Sequence, residues 1–398
     1  MKYYPLTTNT LTYEDKLNAI KVIKSGNITR GKYNLQVEKY FSRKFSRYAL
    51  LVNSGSSANL LALSLMVNRL GKYKLSKNDE VIIPTLCWST SLYPILQMNL
   101  KPIFVDINLK DLNININQLK KKITPRTKAI MLVHALGNCT LMSEVKKLCA
   151  KKKITLIEDC CEALGSKFDN NYLGTFGKIS TFSFYFSHHI TSGEGGLILC
   201  KDKEDYKILL SLRAHGWSRE IDQLGKNKNN KFDKLFNFIN LGYNLRMTDI
   251  QAALLSDQSR KIDKFRQNRI YNYKLIVKYF KNSKILKKNL IFVENQNNSK
   301  ISWFNFPIII KNFNKTKRDN LCLKLNRLGI ETRPIISGNF TQQKVIKSLL
   351  KEISNQKFPK ADLISNSSFM IGISSNKTNK KIINKLCMDL EKTIIEFI

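Results

Sequence analysis

The feature that most constrains this chain is an alternation of short apolar runs with amphipathic stretches over its first two hundred residues. VIIP (81–84), PIFVDI (102–107), KAIMLVH (128–134), ITLIED (154–159), STFSFY (180–185) and GLILC (196–200) have the length and β-branched content of buried strands. Residues 57–70, 143–152 and 204–213 between them carry helical periodicity. Strands that are apolar on both faces and separated by helices predict an α/β domain built on a mostly parallel sheet flanked by helices. After Met247 the texture changes: a helical stretch over 249–279 is followed by mixed strands and helices. The expected division is a large domain over 1–250 with an N-terminal arm and a smaller α+β domain over 251–398.

Composition removes several other classes. The 398 residues are 43% hydrophobic, too apolar for a disordered chain. The net charge of +37 suggests a polyanion partner. Yet the lysines are interleaved with Asn and Ile in loops such as GKNKNNK (225–231), not gathered into a stripe, so no nucleic-acid partner is expected. No apolar run reaches the roughly 18 residues of a membrane span, and MKYYPLTTNT lacks the apolar region of a secretory signal. Eight cysteines without a CxxC pair read as thiols of a reducing cytoplasm, and four histidines without cysteine partners give no metal site.

In such a sheet, ligands gather at the carboxyl ends of the strands. Four segments fall there in order. NSGSSANLLAL (53–63) opens a helix with glycine and hydroxyls, either an ordinary N-cap or a phosphate cradle. Trp88 follows a strand end, where a flat ring packs in the core or stacks on a ligand. Asp159 ends an apolar strand; a carboxylate there caps the next segment or meets a cationic ligand nitrogen. SFYFSHHITSGEGG (183–196) places His188 and His189, two of the chain's four histidines, in one glycine-rich loop.

Taken in order, these segments resemble the DegT/StrS family of pyridoxal-phosphate (PLP) sugar aminotransferases. The likeness runs from SGNITRGKYNLQVEKYF (25–41) through GSSAN, PTLCWSTS, IEDCCEALG, SFYFSHHITSGEGG and LGYNLRMTDIQAA to IETRP. It implies the fold-type I architecture and a homodimer with shared active sites. It also implies that Gly55, Ser56 and Ser183 hold the cofactor phosphate, joined by Asn244 from a second subunit. Trp88 would stack on the pyridine ring, Asp159 would pair with its nitrogen, and Glu162 would lie close by.

One departure changes the chemistry implied. The family's aminotransferases have SFxxxK, whose lysine bonds covalently to PLP. Counted from Ser183, that slot holds His188, and imidazole cannot make the bond. A histidine here resembles the nucleotide-sugar 3-dehydratase branch, which holds PLP or its aminated form, PMP, without a covalent link. That likeness implies removal of the C3 hydroxyl from a 4-keto-6-deoxy sugar nucleotide, with His188 moving the proton, in deoxysugar biosynthesis of the colitose type. It implies L-glutamate as amino donor and ammonia as a product. The branch member with a [2Fe–2S] cluster needs grouped cysteines after the histidine. Residues 213–232 have none, so no cluster is expected, and HGWSR (215–219) resembles the cluster-free, GDP-sugar type. Gly193, in GEGG, is a form shared with the aminotransferases and the cluster type. His215, Arg219 and Arg333 are candidates for the sugar diphosphate or the glutamate carboxylate. An aminotransferase-like protein, a CDP-sugar 3-dehydrase and a non-catalytic PLP binder remain as alternatives.

Overall fold

The structure, a computed structural model, describes residues 3–224 and 236–398. The lysine- and asparagine-rich patch 225–231 and the end of the cysteine-free segment lie outside the described residues. Seven strands make the main sheet: β1 (Tyr48–Val52), β2 (Glu80–Pro84), β3 (Lys101–Val105), β4 (Thr127–Val133), β5 (Thr155–Asp159), β6 (Ile179–Ser183) and β7 (Gly196–Cys200). Their order is β1-β7-β6-β5-β4-β2-β3. β7 pairs antiparallel with both neighbours, and every other pairing is parallel. All five residues of β2, β6 and β7 are buried, as expected for a sheet with helices on both faces.

The apolar runs mark six of these strands, with trimmed ends. β6 stops at Ser183 because Phe184 already turns into the histidine loop, where its N–H donates to the Gly195 carbonyl. β1 is absent from the expected set. Its YALLV run sits between an amphipathic helix and the glycine-serine motif, and it becomes a strand by pairing with β7. The expected helix 57–70 is Gly55–Val67, set by Ser54, whose hydroxyl accepts the Ser57 N–H. This helix is apolar all round because it is covered all round, by β6, β7 and the helices Ser89–Gln97 and Lys203–Arg213.

The stretch 249–279 is two helices, Asp249–Arg260 and Ile262–Asn282, joined at Lys261. Residue 250 thus lies in the first turn of a helix that packs on Tyr13–Ser25 and Lys32–Phe45. Asp249 accepts the N–H groups of Gly31, Tyr33 and Asn34, and so caps Lys32–Phe45, whose own N-cap residue is Gly31. An anion at a helix N-terminus satisfies its orphan donors and its dipole. Beyond these helices, Leu290–Ile291, Asn305–Ile310, Ser368–Gly372 and Thr332–Arg333 form a four-stranded antiparallel sheet. Among the described residues no helix is long and apolar enough to cross a membrane.

Candidate functional site

The carboxyl ends of β1, β5 and β6 converge on Asp159. Its carboxylate is 5% exposed. Oδ2 accepts Asn59 Nδ2 at 2.9 Å and Ser91 Oγ at 2.7 Å, and Oδ1 accepts the Cys161 N–H at 3.0 Å. Thr181 Oγ1 donates to Asn59 Oδ1 at 2.6 Å, fixing the amide so that its NH2 faces the carboxylate. Asp159 therefore does cap the turn that follows it, through Cys161, but CCEALG forms turns and no helix. Three neutral donors hold the charge, and among the described residues no cation pairs with it. A buried carboxylate in that condition suits a protonated ring nitrogen.

Beside it, Gly55 begins its helix against Ser183. A Cβ on Gly55 would lie 2.6 Å from Ser183 Cβ and 3.1 Å from Cys161 Sγ, so the close approach requires glycine. Ser54 binds the Ser57 N–H and its carbonyl accepts that of Ala58. The first-turn donors of Gly55 and Ser56 have no intrahelical partner, which is the arrangement that binds phosphate. Ser56 Oγ reaches Thr90 Oγ1 at 3.2 Å, tying this turn to the one that carries Trp88. Trp88 stands 56% exposed at the start of the helix Ser89–Gln97. That is a costly place for an indole, and one where it can cover a flat ring.

His188 is half-buried, with its Nδ1 2.7 Å from the Cys161 carbonyl. A carbonyl can only accept, so Nδ1 carries the proton, and Nε2 keeps its lone pair with no hydrogen-bond partner among the described residues. Burial, assisted by the positive charge of Arg269, pushes the imidazole down to about 4, against the Cys161 carbonyl and Asp159. The ring is thus neutral at pH 7. Glu162 takes the Leu136 N–H on Oε2 at 2.8 Å. Burial, with a contribution from the Asp159 charge, raises its carboxyl to about 8.

The remaining candidates sit further out. Asn244 is exposed, and its Oδ1 accepts from Arg246, which also lies 3.1 Å from His215 Nε2. The neighbouring Leu245 carbonyl accepts the Asn53 N–H, which places this segment at the end of β1. Arg219 is exposed at the start of the helix Arg219–Leu224. Arg333 is also exposed and pairs with Glu331 at 3.2 Å. The loop after it reaches the site's rim, where Ser337 Oγ donates to the Cys87 carbonyl at 2.5 Å. Gly55, Ser56, Trp88, Asp159, Glu162, Ser183 and His188 are therefore linked within one chain, whereas Arg219 and Arg333 do not touch that cluster.

Sequence reasoning missed Asn59, Ser91, Arg246 and Phe304, whose ring packs on that of His188. Asn59 was discoverable, since it lies four residues after Gly55 on the same helix face. A buried trio, His134, Glu158 and Cys160, brings ligand-type atoms within 4.8 Å of one another. Glu158 is already saturated by His134 Nε2 and the N–H groups of Gly174, Phe176 and Gly177, so it anchors a turn.

The chain is similar to named proteins along most of its length. A GDP-4-keto-6-deoxy-D-mannose 3-dehydratase of Escherichia coli O55:H7 is 40% identical over 344 residues, 85% of this chain and 86% of that one. The solved E. coli GDP-4-keto-6-deoxy-D-mannose-3-dehydratase with bound hydrated PLP superposes with a TM-score of 0.90 at 35% identity, covering 98% of this chain and all of that one. A GDP-4-keto-6-deoxymannose-3-dehydratase with a trapped PLP-glutamate geminal diamine gives 0.88 at 34%, covering 97% and 100%. The expected fold-type I architecture is the one observed. Residues 9–387 match the model of the DegT/DnrJ/EryC1/StrS aminotransferase family, and the chain belongs to that family.

Proposed function

We propose that this protein is a PLP/PMP-dependent GDP-4-keto-6-deoxy-D-mannose 3-dehydratase that takes L-glutamate as amino donor and releases ammonia. The observation that carries this reading is His188: an imidazole in the slot of the family's lysine, held by Cys161 so that its basic nitrogen is free. The similar proteins carry the same activity in their names, and solved examples hold PLP and a PLP-glutamate adduct.

The residues present suit the cofactor. Gly55, Ser56 and Ser183 would hold its phosphate, Asp159 its ring nitrogen and Trp88 its ring face, with Asn244 contributed by a second copy. When bound, the cofactor supplies an amine for the sugar ketone and an electron sink that acidifies an adjacent C–H bond. His188 Nε2 takes up that proton while neutral, and as imidazolium it delivers one to the departing C3 hydroxyl. Asp159, oriented by its three donors, would hold the ring-nitrogen proton in place. Glu162, protonated at neutral pH, adds no second negative charge beside Asp159. With an imidazole in place of the lysine amine, the chain has no group in this slot that would hold the cofactor covalently.

Arg219, Arg333 and His215 are the proposed contacts for the nucleotide diphosphate and the glutamate carboxylate. A homodimer is part of the reading, because Tyr185, Phe186 and the 97% exposed Leu241 leave apolar surface beside the site for a second copy to cover. The decisive experiment mixes the protein, PLP and glutamate with GDP-, CDP- and dTDP-4-keto-6-deoxy sugars and follows ammonia and product mass. A 3-deoxy-4-keto product from the GDP sugar is expected. No ammonia with any of them would leave a non-catalytic PLP binder as the better account.

A further inference from the structure

The wall behind His188 belongs to a distant part of the chain. The Phe304 ring lies 5.0 Å from the imidazole, tilted by 39°. Phe304 is buried and belongs to a strap, 302–304, whose every carbonyl is held. His189 Nε2 donates to the Ser302 carbonyl at 2.7 Å, and Arg269 Nη1 donates to those of Trp303 at 2.9 Å and Phe304 at 2.8 Å. Two of the strap's N–H groups are held too, Ser302 by Ser166 Oγ and Phe304 by the Leu136 carbonyl. Leu136 in turn gives its own N–H to Glu162. A closed circuit results: Glu162, Leu136, Phe304, His188 and the Cys161 carbonyl, which returns to Glu162 through one peptide bond.

Arg269 is buried with three neutral acceptors, Ser375 Oγ being the third, and no carboxylate pairs with it among the described residues. A guanidinium in that state is costly. Its contacts all serve this strap and the Ser375 hydroxyl, which donates to the His189 carbonyl at 3.3 Å.

We propose that Phe304 is a positioning residue for His188: locked by the Arg269 and His189 clamp, its ring keeps the imidazole desolvated and in the Nδ1–H tautomer. The inference rests on the reading of His188 as the proton-transfer group. Among the described residues, the charged and titratable groups around His188 are Asp159 at the end of β5, Cys161 and Glu162 after it, Tyr185 and His189 in its own loop, and Arg269 on the helix Ile262–Asn282. Phe304 is an apolar group packed on the ring, so its removal admits water without altering the charges.

The test uses the whole protein labelled at its four histidines, with His188 assigned as the NMR signal missing from His188→Asn. In wild type the ring should titrate below pH 5 as the Nδ1–H tautomer. In Phe304→Ala its midpoint should rise by about one unit with mixed tautomers, and Phe304→Tyr, which keeps the ring, should restore both. The acid limb of kcat/KM should follow the same shift. Should Phe304→Ala not fold, Phe304→Leu carries the same comparison. An unchanged His188 midpoint and tautomer would overturn the proposal, as would equal movement of all four histidines. Because the titration needs no sugar nucleotide, a failure of the proposed activity is read separately, from absent turnover by the wild type.

Discussion

His188 Nδ1 and the Cys161 carbonyl oxygen are 2.7 Å apart, and Cys161 donates its own N–H to Asp159 at 3.0 Å. One residue thus orients both the neutral imidazole and the buried carboxylate, joining the two chemical ends of the site through its own backbone N–H and C=O.

His188→Asn should lower ammonia release by about 10³-fold, within the usual range for loss of an acid-base group. PLP binding, followed by its absorbance, should stay within a few-fold of wild type. Retained turnover would remove His188 from its role.

Borohydride treatment of the PLP-loaded wild type should leave no cofactor on the chain, since no lysine occupies the slot. His188→Lys should retain it, visible as an added mass on the peptide carrying residue 188. Covalent retention by wild type would return the protein to the aminotransferases.

Asp159→Asn keeps the acceptor for Cys161 but removes the charge. Loss of a buried ionic partner should weaken PLP binding by about 3 kcal/mol, on the order of a hundredfold. Dialysis against free PLP measures it.

Gly55→Ala puts a methyl 2.6 Å from Ser183 Cβ. The cofactor-free chain should lose about 1–3 kcal/mol to urea through overpacking. PLP affinity should fall as well, because the phosphate donors move with the helix start.

Glu162 keeps its proton up to about pH 8 in the folded chain, against an ordinary value of 4.5. Between those values the folded state binds more protons than the unfolded one, so this group's contribution falls as pH rises through the window. Glu162→Gln, which still accepts the Leu136 N–H, should flatten that loss. The variant should be nearly equal to wild type at pH 4.5 and gain on it as pH rises, by up to about 4 kcal/mol at pH 8. Thermal unfolding of the cofactor-free protein at the two pH values checks it.

Much of the site was legible because its pieces are local. The glycine-serine turn, the strand-ending aspartate and the paired histidines each announce a strand end within a few residues. β1 was not, since YALLV is too short to be told from a helical run without its β7 partner.

The amino-acid sequence by itself determined the α/β alternation, the order of the ligand-facing segments and the replacement of a lysine by His188. Those are properties of neighbours along the chain, where periodicity and residue type carry the information. Tertiary structure alone decided what surrounds them. Asp249 caps a helix that begins more than two hundred residues earlier, Asn59 and Ser91 turn their donors onto Asp159, and Phe304 closes over His188 from beyond residue 300. Such contacts follow from which surfaces pack together, and a neutral imidazole or a solitary buried carboxylate exists only once packing has removed the water around it.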